Sequence, residues 1–133
     1  MCQDTVAIGR CVSTFANSAV AIGACTNANC SAVAIGATTN ASCYGIALGN
    51  NAYANQRSFA AGSFACACAE DTIAIGANAK ARSSNSIAIG CSSMALGDGA
   101  VSIGSNATAC KGFLALGTCA TSDVDIDTTT AGN

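Results

Sequence analysis

The chain has 133 residues, of which only 9% are charged, and a net charge of −2. Charged content that far below the roughly 25% usual for soluble domains leaves little charged surface, and the few basic residues (Arg10, Arg57, Lys80, Arg82, Lys111) are scattered, which excludes an electrostatic footprint for nucleic acid. Polar residues also break every apolar stretch well short of the roughly 18 residues needed to span a bilayer, so neither a transmembrane helix nor membrane insertion is expected.

Met1-Cys2-Gln3-Asp4-Thr5 leads straight into a repeat and has neither the basic n-region nor the apolar h-region of a signal peptide. From there an apolar residue, an alanine (once a serine), a second apolar residue and a glycine recur nine times at a spacing of 13 or 14. The glycines are Gly9, Gly23, Gly36, Gly49, Gly62, Gly76, Gly90, Gly104 and Gly117. A period that short marks a repeat architecture, because one unit is too small to bury a core without its neighbours.

Three positions before each glycine stand Val6, Val20, Val33, Ile46, Phe59, Ile73, Ile87, Val101 and Leu114. One position before it stand Ile8, Ile22, Ile35, Leu48, Ala61, Ile75, Ile89, Ile103 and Leu116. The two columns share a parity, so on a strand they lie on one face, and their β-branched character suits a strand; this reading assigns that face to the core. After the glycine a second alternation follows, of small residues such as Ala52 and Ala54, Ala65 and Ala67, Ala79 and Ala81, with Thr26, Thr39 and Ser93 as variants. Glycine at the corner then gives two strands and two turns per coil.

The expected fold is all-β, a parallel β-roll or solenoid of about nine coils, with residues 1–122 as the repeat domain and 123–133 as a C-terminal tail or connection. At about 4.8 Å between stacked strands, nine coils make a rod on the order of 43 Å long. Between the two large columns lies a third, Ala7, Ala21, Ala34, Ala47, Ala60, Ala74, Ala88, Ser102 and Ala115, which this reading turns outward. Nearly pure alanine on an outward face implies close cover, most simply by another copy of the chain, although alanine that merely keeps a turn compact is the alternative.

Asn85-Ser86-Ile87-Ala88-Ile89-Gly90, Asp71-Thr72-Ile73-Ala74-Ile75-Gly76 and Asp4-Thr5-Val6-Ala7-Ile8-Gly9 resemble the head repeat of YadA-like trimeric autotransporter adhesins. Ala79 and Ala81 match that family's second half-repeat, and Gly90, Gly97 and Gly104 show its half-period. The resemblance implies a left-handed β-roll, a homotrimer, and outward presentation for attachment. It implies a non-enzymatic structural protein at an extracellular or virion surface, the head or shaft of a fibre or spike. Its partners would be its own copies, other proteins of the appendage or virion, and a host glycan or receptor. The ten cysteines depart from the family pattern, and no neck, stalk or anchoring barrel is expected within these residues.

Cys11 and Cys25 both lie two positions after their glycines, and Cys30 and Cys43 both lie seven after theirs. Stacking on adjacent coils would bring each pair within disulfide range; the other reading treats them as small buried apolar residues. Cys66-Ala67-Cys68 could place two thiols on one strand face, but with no histidine in the chain no metal site is expected. Asp123-Val124-Asp125-Ile126-Asp127 lacks the glycine and terminal glutamate of a calcium loop. With no histidine and no nucleophile or phosphate-loop motif, neither catalysis nor a cofactor is expected. Two further uses are glycan or receptor recognition on Asn- and Ser-rich outer turns, and ice binding. The latter needs a continuous threonine ladder, whereas only Thr26 and Thr39 stack.

Overall fold

The computed structural model describes residues 4–110, 112–122 and 130–131, and Asp123–Asp127 lies outside them. Every element in it is a strand, and every pairing is parallel between successive coils. The first sheet stacks Val6–Ile8, Val20–Ala24, Val33–Ala37, Ile46–Leu48, Phe59–Ala61, Ile73–Ile75, Ile87–Ile89, Val101–Ile103, Leu114–Leu116 and Thr130–Ala131. The second stacks Ser13–Thr14, Asn27–Ala28, Asn40–Ala41, Tyr53–Ala54, Cys66–Ala67, Lys80–Ala81, Met94–Ala95, Thr108–Ala109 and Thr121–Ser122. Each coil thus gives one strand to each sheet, as the period requires, and the result is a parallel β-solenoid of about nine turns. Thr130–Ala131 pairs with Ala115 and Leu116, so the ladder reaches past residue 122.

Register is kept residue for residue: Ile73, Ala74 and Ile75 lie against Ile87, Ala88 and Ile89, and those against Val101, Ser102 and Ile103. The pairing places like on like, so each column of the sequence becomes a ladder along the rod.

The interior reverses the expected assignment of faces. The alanines at 21, 34, 47, 60, 74, 88 and 115 are fully buried, as is Ser102, so this column points inward and not toward another chain. Of the residues expected in the core, Val6, Ile8, Ile35, Ile46, Ile75 and Leu116 are exposed, while Val20, Ile22, Val33, Leu48, Ile73, Ile87, Ile89, Val101, Ile103 and Leu114 are half-buried. Parity fixed which residues share a face but not which face is inside. Wall separation decides that: the opposite wall offers Ala52 and Ala54, Ala65 and Ala67, Ala79 and Ala81, all buried, and the gap between two such walls takes only Ala, Ser and Thr. Thr26 and Thr39 are inside as well, and the other threonine pair in register, Thr108 and Thr121 on the outer wall of the second sheet, is followed by Met94, so no continuous threonine ladder faces outward for an ice lattice.

Both corners are tight turns. At the first, the amide three residues after the glycine donates to the glycine carbonyl, as Ala79 does to Gly76 at 3.2 Å and Ala107 to Gly104 at 3.3 Å. At the second, Ser86 N donates to Ser83 O at 3.3 Å and Gly45 N to Ser42 O at 2.8 Å. The third residue of each turn has positive φ, as in Asn78 (58°) and Asn106 (57°) at one corner and Asp71 (57°) and Asn85 (59°) at the other. That conformation costs most side chains roughly 1–2 kcal/mol and Asn, Asp or Gly less, which accounts for the Asn or Asp that opens the repeat motif. The Ser or Thr after it is buried, and its hydroxyl donates back across the turn, Thr72 Oγ1 to Ala69 O at 2.8 Å and Ser58 Oγ to Asn55 O at 2.7 Å. At Asn55 the hydroxyl adds a second, shorter bond to a carbonyl that also accepts from Ser58 N at 3.3 Å, which closes the turn more firmly.

Candidate interaction faces

Burying the small columns leaves the large ones outside. The outer wall of the first sheet carries two unbroken files of Val, Ile, Leu, Phe and Ala, with no charged residue at any position in either file. Ile8 is 57% exposed, Leu116 47% and Ile75 36%, values far from those of a finished core. Scattered surface leucines are ordinary; a continuous apolar wall along a whole rod is the kind of surface that marks an interaction face.

The second sheet's outer wall is different in kind. Asn27, Asn40, Tyr53, Cys66, Lys80, Met94 and Thr108 follow one another along it, each half-buried. A shallow hollow of about 310 Å³ lies on this side, lined by Asn78, Lys80, Ser92, Met94, Asn106 and Thr108.

The cysteines correct the expected pairings. Cys11, Cys25, Cys30 and Cys43 are all free thiols, and among the described residues the bond that forms is Cys66–Cys68, from the strand Cys66–Ala67 to the residue just past its end, with the Cα atoms 5.1 Å apart. In-register parallel stacking keeps neighbouring Cα–Cβ bonds parallel at about 4.8 Å, whereas a disulfide draws the Cβ atoms to about 3.8 Å, so stacked cysteines approach without bonding. Cys11 and Cys25 are exposed, which also removes the small-buried-residue reading for that pair. A hydrogen bond with the Cys43 thiol, reinforced by burial, raises the Cys30 thiol above its ordinary value. The alternating parity of Cys66-Ala67-Cys68 was the available signal for the bond that forms; with both sulfurs oxidised, no thiolate pair is left there for a metal. Among the described residues no cluster of metal-ligating side chains occurs.

One charged cluster bridges two coils. Arg57 donates to Asp71 from Nε and Nη2, both at 2.8 Å, and from Nη2 to Glu70 at 3.3 Å. The Arg57 hydrogen bonds, with its charge as the lesser cause, hold the Asp71 carboxyl below its usual range, and Asp71 in turn raises Arg57. A carboxylate depressed in the folded state contributes stability above its unfolded pKa, and that contribution disappears as pH falls through the folded one. The melting-temperature gap between wild type and Arg57→Gln should therefore be widest above about pH 5 and close as pH drops below about 4. Thermal melts of both proteins across that window check it, and a gap independent of pH would contradict the pairing. The side chains are about half exposed, so the gap is small.

A stack of short coils with a small-residue interior and an apolar outer wall makes the protein a parallel β-solenoid. Residues 69–90 and 92–109 match the YadA head domain repeat, one copy each, so the chain carries YadA-type head repeats, as the motif indicated. No curated protein matches the chain.

Proposed function

We propose that the protein is a non-enzymatic attachment module, a homotrimer in which three solenoids meet through the outer walls of their first sheets, forming the head or shaft of a fibre, spike or virion component. The single observation that carries this reading is the charge-free apolar wall running the length of the rod. Removal of apolar surface from water is worth about 25 cal/mol per Å², and covering this wall would recover that energy along the whole rod. Three copies around an axis close the assembly and leave no apolar wall to aggregate. The second sheets and the corner turns then face outward and are available to a target. Trimer formation also explains how so thin a core suffices, since part of the stabilising burial lies between chains.

The attachment reading is tested by coating inert beads with the full chain and measuring retention on cell monolayers and matrix-coated surfaces under flow. Retention above that of albumin-coated beads is expected. Retention no greater than that control on any such surface contradicts the attachment role.

A further inference from the structure

We propose that the hollow on the second sheet, extended by Phe64, is a binding groove for an acidic glycan, with Lys80 as the partner of a sugar carboxylate. The inference deepens the attachment reading and rests on it. Asn78, Ser92 and Asn106 are the third turn residues of three successive coils, and Lys80, Met94 and Thr108 are the strand residues beside them. The lining therefore repeats at the coil spacing, and a linear polymer laid along the rod meets an amide or a hydroxyl at every step.

Charge fixes the kind of polymer. Lys80 makes no ion pair among the described residues, and no acidic side chain lines the hollow. A single cation is too little for nucleic acid, which needs several phosphate contacts. An extended peptide would need a free strand edge, yet Lys80–Ala81 is paired on one side with Cys66–Ala67 and on the other with Met94–Ala95. The ligand must be read by side chains alone, as a sugar is, through hydroxyls, one carboxylate and an apolar ring face.

Phe64 supplies a surface for that ring face. It stands in the turn column between Asn51 and Asn78, with φ of 58°, and is 53% exposed. An aromatic residue gains little for the fold there: the left-handed backbone disfavours it, and half its surface stays in water. Asparagine occupies the same position one coil before and one coil after at lower cost. Left-handed backbone recurs in every coil, and Tyr44 is a second exposed aromatic in it at the other corner; what sets Phe64 apart is its place beside the polar hollow, where its ring is open to a ligand.

The test is calorimetric titration of the full chain with a glucuronate-containing tetrasaccharide and, as its uncharged counterpart, a tetramer of N-acetylglucosamine. Saturable binding of the acidic sugar, and weaker binding of the neutral one, are expected. Lys80→Met should weaken the acidic ligand about three- to five-fold, the scale of one exposed ion pair. Phe64→Asn, a change the turn favours, should weaken both ligands, and Arg82→Met, which removes the same charge outside the groove, should weaken neither. Absence of saturable binding, equal affinity for the two sugars, or an equal loss in Arg82→Met overturns the proposal. Circular dichroism and solution mass of the same samples separate that failure from a failure of the fold or of trimer assembly.

Discussion

Gly76→Ala is expected to destabilise the solenoid by about 4 kcal/mol or more, at the far end of what single substitutions do. Gly76 has φ of +128°, a conformation side-chain-bearing residues do not hold, and a Cβ built on it would lie 2.6 Å from the carbonyl oxygen and 2.7 Å from the carbonyl carbon of Gly90. Both obstacles are backbone, held in the ladder by hydrogen bonds such as that from Gly90 N to Ile75 O at 2.8 Å, so neither can move aside cheaply. The repeat's glycine is therefore required twice over, by its own conformation and by the coil stacked on it. Gly99 is the contrasting case: its φ of +67° is shared by Asp, Asn and Ser in other coils, and a Cβ there meets nothing within 4 Å. Gly99→Ala should cost about 1 kcal/mol. Urea denaturation of the two variants beside wild type checks the pair, and equal losses would refute the assignment.

Ala74→Leu should cost about 1–3 kcal/mol or somewhat more, while Ile75→Phe, one residue further along the same strand, should leave the coil intact. Ala74 is fully buried in register with Ala60 and Ala88, and three added carbons have no room between walls spaced for alanine. Ile75 is on the outer wall and more than a third exposed, so a larger ring projects away from the coil. Had the expected assignment of faces held, the sensitivities would be reversed. Thermal unfolding followed by circular dichroism distinguishes the two arrangements, since a tolerated Ala74→Leu is incompatible with the narrow interior.

The repeat, the two strands per coil and the parallel stacking were legible because each is a matter of period, and the glycine column states the period nine times. The motifs quoted around Gly76 and Gly90 both fall within the first matched stretch, residues 69–90. Which face is inside was not legible. Alternation marks residues 73 and 75 off from 74, and the habit that large aliphatic residues belong in a core assigned Ile73 and Ile75 inward; nothing local in the sequence states how far apart the two walls stand. The alanine pairs at 65 and 67 and at 79 and 81 carried that information, because small residues on both walls mean a narrow gap. The disulfide pairing is illegible for a related reason: stacking brings the Cα atoms of Cys11 and Cys25 within disulfide range, while parallel register keeps their Cβ atoms too far apart to bond. The same parity applied along one coil leads to the Cys66–Cys68 bond. The polar hollow lies where two columns meet, the third turn residues Asn78, Ser92 and Asn106 and the strand residues Lys80, Met94 and Thr108, and the period alone does not say that these columns share a hollow.

The most direct measurement is the solution mass, by light scattering after size exclusion, of the wild-type chain beside the double variant Ile75→Lys, Ile89→Lys. Both substitutions lie on the outer wall, where the folded coil has room for them and a mated interface does not. Assembly through that wall predicts a wild-type mass near three times 12.8 kDa, and a variant mass near one chain with an unchanged circular dichroism spectrum. A wild type that runs as a single chain, or a double variant that remains trimeric, would contradict it.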